Sequence, residues 1–120
     1  MTTYAPQEAA SRTGFSLDTL RYYERIGLLD DVERTSGGRR MYRDDHLEWL
    51  GILHCLRRTG MPVREMRRYA ELAREGPETE EERLQILEDH RRSVLAMIDE
   101  LREALGVVEG KIAYYRRESS

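Results

Sequence analysis

The chain has 120 residues, of which 39% are hydrophobic and 36% charged, so a core can fill one small domain but not the whole chain. A net charge of −3 and a pI near 5.7 exclude a protein that coats nucleic acid indiscriminately, but they allow a locally basic binding surface. Residues 1–75 carry 13 arginines against 12 acidic residues, and residues 76–120 carry 7 basic against 11 acidic residues. The single cysteine precludes an internal disulfide, and no apolar run approaches the ~20 residues of a membrane span. We therefore expect a soluble, cytoplasmic protein without a membrane partner.

Two short helices separated by a turn are predicted first. Pro6 suits the first turn of a helix over residues 7–12, which Gly14 ends. Ser16 is a natural N-cap for a second helix over about residues 17–26, and Gly27 suits the left-handed residue that ends it.

The second helix has a polar and an apolar side. On a 3.6-residue repeat the polar face contains Asp18, Arg21, Tyr22 and Arg25, and the other side contains Leu17, Leu20, Tyr23 and Ile26. Guanidinium groups fit guanine edges and phosphates, and tyrosine adds a hydroxyl and a flat ring. The polar face therefore favours nucleic-acid binding; for any single arginine, a solvated helix face is the alternative.

A hairpin and two further helices follow. Short extended pieces flank the turn Ser36-Gly37-Gly38, and Arg39 and Arg40 lie beside it, as in the wing of a winged helix or in an ordinary surface loop. Asp44 or Asp45 can cap a third helix over residues 45–58, whose leucines recur at i+3 steps, and Gly60 ends it. A fourth helix is expected over residues 63–73. On its outer side lie Arg64, Arg67 and Arg68, which either touch phosphates or form a solvated charged face.

The longest helix is predicted over residues 80–117, opened by a capping box at residues 79–82. Ten positions spaced alternately three and four apart form a seam, nine of them apolar: Leu84, Leu87, Arg91, Val94, Ile98, Leu101, Leu105, Val108, Ile112 and Tyr115. A helix of about 55 Å is too long for a domain of this size to cover. The pattern therefore indicates a coiled-coil homodimer rather than a helix lying along its own domain.

Together, these segments resemble the MerR family of transcription regulators. The segments that carry it are residues 4–10, 13–16, 19–29, 34–42 and 60–61, and the string Leu-Arg-Tyr-Tyr-Glu-Arg-Ile-Gly-Leu-Leu at residues 20–29 is among the most specific short signatures of the family. The resemblance covers the whole chain, including the long terminal helix. The resemblance implies a mainly α fold: a winged helix-turn-helix DNA-binding domain with linking helices at residues 1–75, then an antiparallel coiled-coil dimerisation helix at residues 76–120. It also implies a homodimer that binds a palindromic promoter and distorts the DNA on a signal, so that RNA polymerase engages both promoter elements.

The resemblance also assigns residues. The family's base and phosphate contacts fall on Ser16, Thr19, Arg21, Tyr22 and Tyr23 in the recognition helix, on Arg39, Arg40 and Tyr42 in the wing, and on Thr59 and Arg64 beyond it. The dimerisation residues are Leu87, Val94, Ile98, Leu101, Leu105, Val108 and Ile112. The chain departs from the family pattern at Ala5-Pro6, Arg43 and Pro62. These departures lie at the predicted starts of three helices, and they leave the polar face of the recognition helix unchanged.

The cysteine count limits the kinds of signal that the protein could sense. One thiol cannot build a thiolate metal site or an iron–sulfur cluster, so no metal or cofactor is expected, and no drug-binding domain is expected after the coil. Residues 54–61 and 111–115 resemble the branch of the family that senses aldehydes, reactive nitrogen or other electrophiles through one thiol in the third helix. Cys55 is therefore the sensor candidate, with Arg58 placed to favour its thiolate; an inert buried cysteine is the alternative.

Other function classes have less support. A coiled-coil adaptor whose arginine-rich head binds an acidic protein surface is the alternative to a DNA-binding regulator. No enzyme is predicted, because the sequence shows no nucleophile with a placed base, no carboxylate pair with a histidine and no glycine-rich phosphate cradle.

Overall fold

The computed structural model describes residues 2–119 and is mainly helical, with one small antiparallel sheet. In chain order the elements are β1 (Thr3–Tyr4), α1 (Pro6–Thr13), α2 (Leu17–Arg25), β2 (Glu33–Arg34), β3 (Arg40–Arg43), α3 (Asp44–Arg58), α4 (Val63–Glu75), a 3₁₀ turn (Pro77–Thr79) and α5 (Glu80–Ser119). Met1 and Ser120, the outer ends of the two predicted domains, lie outside the described residues. The predicted mainly α class, with a winged helix-turn-helix and a long C-terminal helix, is confirmed.

The chain forms two compact units, one ending at Arg83 and one starting at Leu84. The first unit contains the sheet, the four shorter helices and the first turn of α5. The second unit is the rest of α5. The assignment of functional domains to residues 1–75 and 76–120 stays a prediction.

The helix-turn-helix at the start of the chain has the expected caps. Gly14 has a φ of 83°, and its N–H donates to the carbonyl of Ala10 at 2.9 Å. The Ser16 side chain accepts the N–H of Thr19 at 3.1 Å, and Gly27 has a φ of 86° after the end of α2. Because only glycine adopts this left-handed conformation without strain, these two residues fix where the helices end.

The predicted hairpin is present and belongs to a three-stranded sheet with the order β1-β3-β2. Glu33 pairs with Met41 and Arg34 with Arg40, while the Thr35 N–H donates to the Arg39 carbonyl at 2.7 Å across the turn. β1 was not predicted, because a strand of two residues is too short to show an alternating pattern. It pairs with β3 and so ties the start of the chain to the base of the wing.

Two predicted helix caps are wrong. Asp44 is already helical, and the residue before it, Arg43, donates its backbone N–H to Nδ1 of His46 at 3.0 Å. Asp45 instead binds the Arg43 guanidinium. Thr79 does not form the predicted capping box: its hydroxyl donates to the carbonyl of Leu72 at 2.5 Å and accepts from Nε of Arg83 at 3.1 Å. Pro77 starts a 3₁₀ turn here, and Thr79, at the end of that turn, bonds to Leu72 of α4 and to Arg83 in the first turn of α5 instead of capping α5.

All four shorter helices and β3 contribute to the core of the first unit, and its largest fully buried aliphatic side chains are Leu20, Leu28, Leu29, Leu50, Leu53, Met61, Met66 and Leu72. Trp49 stacks on Tyr69 with ring centroids 5.5 Å apart and donates its indole N–H to the Leu28 carbonyl at 2.7 Å. Arg74 of α4 donates to the Gly27 carbonyl at 2.6 Å. These bonds hold the turn that follows α2 against α3 and α4, and so they anchor the C-terminal end of the recognition helix.

α5 leaves large apolar side chains uncovered within the described residues. Ile98, Leu101, Leu105, Val108 and Ile112 are exposed. Leu87 and Val94 are half-buried. No helix among residues 2–119 is both long enough and apolar enough to cross a membrane.

Candidate nucleic-acid interface

The polar face of α2 is exposed, as its periodicity predicts. Arg21 and Arg25 are exposed, and the Tyr22 side chain is 39% exposed. The Arg25 guanidinium lies 5.4 Å from the centroid of the Tyr22 ring, while Arg21 makes only a 3.4 Å contact to the exposed carboxylate of Asp18. Such a weak surface pair contributes little, so Arg21 is free to exchange it for another anion.

Ser16 and Thr19 lie together at the start of α2. The Ser16 hydroxyl donates to Oγ1 of Thr19 at 2.9 Å and accepts the Thr19 backbone N–H. Both side chains therefore organise the first turn, whose remaining N–H groups carry the positive end of the helix dipole. Anions such as phosphate bind favourably at such helix ends.

Two tyrosines assigned to DNA contact, Tyr23 and Tyr42, are buried, with 4% and 1% exposure. Burial raises the pKa of both phenols, so both stay neutral at physiological pH. The Tyr23 ring packs edge-on against Phe15 at 5.2 Å, and Phe15 packs on His54 at 4.9 Å. With almost no free surface, the two rings lie in the core of the first unit, and their DNA contacts stay a prediction. Tyr23 does fall on the side of the helix that its periodicity assigns to the core.

The wing is attached to the recognition helix by Glu24. Nε of the half-buried Arg40 donates to Glu24 Oε1 at 2.5 Å, and Arg34 lies 3.6 Å from the same oxygen. The predicted contact residue Arg40 is therefore paired with Glu24 within the protein, and its DNA contact stays a prediction. Arg39 is exposed and donates to Gln7 Oε1 at 3.2 Å, which leaves it at the surface. Glu24 was missed, because a pair 16 residues apart leaves no periodic signal.

Arg43 joins the base of the wing to its neighbours. Its guanidinium lies 3.0 Å from Asp45, 3.5 Å from Asp31 and 3.9 Å from Glu33. The hydrogen bond to Asp45 raises the pKa of Arg43 and lowers that of the Asp45 carboxyl. This residue, which departs from the family pattern, thus links β3 to β2, to the loop before it and to α3.

The remaining predicted residues lie on α3 and around the α3–α4 turn. Thr59 is half-buried, and its hydroxyl donates to the Cys55 carbonyl at 2.7 Å. Arg64 is exposed in the first turn of α4. Cys55 is a free, exposed cysteine, so its thiol is not buried, as the alternative of an inert cysteine expected. Among residues 2–119 there is no group of three or more histidine, cysteine or acidic side chains arranged to hold a metal ion.

Residues 4–72 match the family described as MerR HTH family regulatory protein. The chain belongs to the MerR family of transcription regulators. Among curated relatives, an uncharacterized HTH-type transcriptional regulator of Haemophilus influenzae is 40% identical over 96% of this chain and 85% of its own length. The regulator AdhR of Bacillus subtilis is 35% identical over 73% of this chain and 63% of its own length.

Solved structures of MerR proteins agree with this fold. HiNmlR, described as a MerR family regulator lacking the sensor domain and bound to promoter DNA, is 40% identical, with a TM-score of 0.88 over 97% of this chain and 92% of that one. A MerR family protein of Listeria monocytogenes is 36% identical, with a TM-score of 0.87 over 93% of this chain and 85% of that one. The resemblance to the MerR family is therefore confirmed, and an adaptor role is not favoured.

Proposed function

We propose that this MerR regulator binds a palindromic promoter element as a homodimer. The observation that carries the proposal is the exposed polar face of α2, where Arg21, Tyr22 and Arg25 project from a helix fixed at both ends. HiNmlR, which is similar over nearly the whole chain, was solved on promoter DNA. Arg21 is our candidate for base readout, because it lies on this exposed face and its ion pair with Asp18 is a weak surface contact.

The homodimer is supported by the seam of α5. The five exposed seam residues from Ile98 to Ile112 recur every three or four residues along one stripe, and such a stripe requires a partner helix. Pairing with a second copy, in the antiparallel sense, would set two recognition helices at a fixed separation. A palindromic site matches that two-fold symmetry.

The regulatory step is proposed to be a change in the conformation of the promoter DNA, through which RNA polymerase is affected indirectly. The proposal includes Cys55 as the residue that senses an electrophile. Its exposure supports this, since a thiol must be accessible to react. The family is one of regulatory proteins, so no enzymatic activity or cofactor is proposed. Because the ligand is promoter DNA, we place the protein in the cytoplasm with the nucleoid.

Footprinting tests the DNA-binding proposal. The wild-type protein should protect a dyad in the duplex upstream of its own or its neighbouring gene. Arg21→Gln should lose the preference for that duplex over a scrambled one, because a bidentate base contact contributes about 1–3 kcal/mol of discrimination. Arg12→Gln, which removes an arginine from an exposed pair on α1, should keep it. Equal binding of the wild-type protein to both duplexes, or none, would contradict the proposal.

Reporter assays test the sensor. Promoter activity in cells should respond to an aldehyde or a nitrosating agent with the wild-type protein but not with Cys55→Ser. A Ser93→Ala variant, which changes an exposed hydroxyl of α5, should respond as the wild type does. An unchanged response of Cys55→Ser would remove Cys55 from the proposal without affecting DNA binding.

A further inference from the structure

The first unit contains a small cavity lined by the loop after α2, the start of α3 and the last turns of α4. Its volume is about 220 Å³, and its lining comes from residues 28–31, 43–49 and 70–74. Pockets for drug-sized ligands usually measure about 300–1,000 Å³, so this cavity suits a smaller molecule. The residues that line it are separate from those assigned to DNA contact and from Cys55.

His46 brings an unpaired hydrogen-bond donor to this cavity. It is one of the lining residues, it is only 4% exposed, and its Nδ1 accepts the Arg43 backbone N–H at 3.0 Å. A neutral imidazole that accepts at Nδ1 carries its proton on Nε2, so Nε2 is a donor and not a metal ligand. Among the described residues, this buried Nε2 has no hydrogen-bond partner. Because a buried donor without an acceptor is costly, a bound molecule with an acceptor would stabilise the site.

Charged side chains of both signs line the same cavity. Three carboxylates, of Asp30, Asp31 and Asp45, stand against the two guanidinium groups of Arg43 and Arg74, which gives a sum of −1 with neutral His46. Asp45 and Arg43 satisfy each other through hydrogen bonds of 3.0 and 3.2 Å. Asp31 and Asp30 are exposed and pair only weakly, at 3.5 Å from Arg43 and 3.8 Å from Arg74. Such pairs contribute little and are easily exchanged for another cation.

The charges and the donors together select the kind of ligand. An anion alone is disfavoured by the net charge of −1, whereas a cation alone leaves the His46 donor unpaired. The Arg74 guanidinium has five N–H donors, and Nη1 is used by the Gly27 carbonyl at 2.6 Å, so it can add a further bond to a carboxylate. A small zwitterion satisfies all of these groups at once. The rest of the lining is apolar and comes from Leu28, Leu29, Trp49, Ala70 and Ala73.

We propose that this cavity binds a free amino acid with a small apolar side chain. Its carboxylate accepts from His46 and Arg74, its ammonium group pairs with Asp30 and Asp31, and its side chain packs on the apolar lining. This inference goes beyond the proposed function, because it adds a second ligand at a site that DNA and Cys55 do not use. Trp49 and Arg74 also bond to the turn that anchors the end of α2, so the ligand contacts the support of the recognition helix.

Fluorescence titration of the full-length protein without DNA tests the site. Trp49 is the only tryptophan of the chain and lines the cavity, so its emission reports occupancy directly. L-valine should give a saturable change. The matched probes 3-methylbutanoate, which lacks the ammonium group, and isobutylamine, which lacks the carboxylate, should each bind about tenfold more weakly or worse, because each loses charge-assisted hydrogen bonds. Equal affinity for either analogue, or no saturable change with L-valine, would overturn the inference.

Two variants locate the binding. Ala73→Leu fills the cavity and should abolish the L-valine response without removing a polar group. Asp30→Asn changes an exposed carboxylate, so it keeps the test valid if Ala73→Leu does not fold, and it should raise Kd for L-valine roughly threefold to tenfold without weakening 3-methylbutanoate. Glu8→Gln, an exposed carboxylate outside the cavity, should leave both values unchanged, and thermal unfolding would check that each variant is folded.

The outcome is independent of DNA binding. A wild-type Kd for L-valine in both folded variants would overturn this inference and leave the proposed function untouched. A protein that binds L-valine as expected but not its promoter would instead overturn the proposed function alone.

Discussion

Removing the Glu24 carboxylate is expected to detach the wing from the recognition helix. Glu24 accepts from Arg40 at 2.5 Å, and the two side chains are 20% and 25% exposed, while the Arg34 contact is longer and more exposed. At an effective dielectric constant near 20, the Coulomb attraction across ~4 Å is about 4 kcal/mol before desolvation is subtracted. Net hydrogen bonds to charged groups contribute about 1.5–3 kcal/mol, and the remaining exposure lowers this to about 1–2 kcal/mol.

Thermal denaturation of Glu24→Ala, Arg40→Ala and the double variant at one protein concentration would measure this energy. We expect a coupling energy of about 1–2 kcal/mol, with each kcal/mol lowering Tm by about 4–8 °C in a domain of this size. Glu8→Ala is the matched control, because it breaks the exposed Arg12–Glu8 pair and should cost about 0.5 kcal/mol at most. A coupling energy no larger than that of the control pair would refute the estimate.

DNA binding by Glu24→Ala tests separately whether Glu24 positions the wing. Glu24→Ala removes a negative charge close to the proposed interface, so electrostatics alone would strengthen DNA binding. If Glu24 acts by positioning the wing, binding to the promoter duplex should weaken in spite of the charge change. Tighter binding of Glu24→Ala, measured by anisotropy at fixed salt, would show that the wing does not depend on this bond.

Three further predictions concern the dimer, the core and acid stability. If the proposed dimer forms through this seam, the wild type should sediment as a dimer and Leu101→Asp as a monomer, because the change puts a charge in the apolar seam, whereas Val107→Asp, exposed but outside the seam, should remain a dimer. Trp49→Phe keeps an aromatic ring against Tyr69 but leaves the Leu28 carbonyl without its 2.7 Å donor, so unfolding should become easier by about 1 kcal/mol or more; an unchanged Tm would contradict this. The hydrogen bond with Arg43 lowers the pKa of Asp45 in the folded protein. The ionised pair therefore stabilises the fold at pH values above the ordinary aspartate pKa near 4, and this contribution is lost as the pH falls through the lowered pKa. Arg43→Gln should therefore make unfolding less dependent on pH in that acidic range, and an identical acid profile would show that the pair contributes nothing.

The sequence was sufficient where local chemistry decides the structure. Ser16, Gly14 and Gly27 define the ends of the first two helices through their own side chain or backbone freedom, so the polar face of α2 could be placed within a residue. The leucine spacing of α3 was equally informative, since Leu50, Leu53 and Leu56 are buried. The cap of α3 was missed because arginine is not a usual N-cap residue, whereas aspartate is; here the Arg43 N–H donates to Nδ1 of His46, three residues further on.

Arginine shows most clearly what the sequence could not decide. The residue type and even the helix face are the same for Arg64, Arg67 and Arg68, yet within the described residues only Arg68 forms an ion pair, and its partner Glu82 belongs to α5. In the wing, Arg39 and Arg40 are adjacent, but one is exposed and the other is bound to Glu24. An arginine paired with a half-buried carboxylate of another element, such as Arg40 with Glu24, holds the two elements together, whereas an exposed arginine with at most a weak surface pair can exchange it for an external anion. Since the partner comes from elsewhere in the chain, this division of roles follows from the folded structure and not from the motif. A family pattern that assigns contacts by position alone therefore does not distinguish an arginine paired within the protein, such as Arg40, from an exposed candidate for DNA contact such as Arg64.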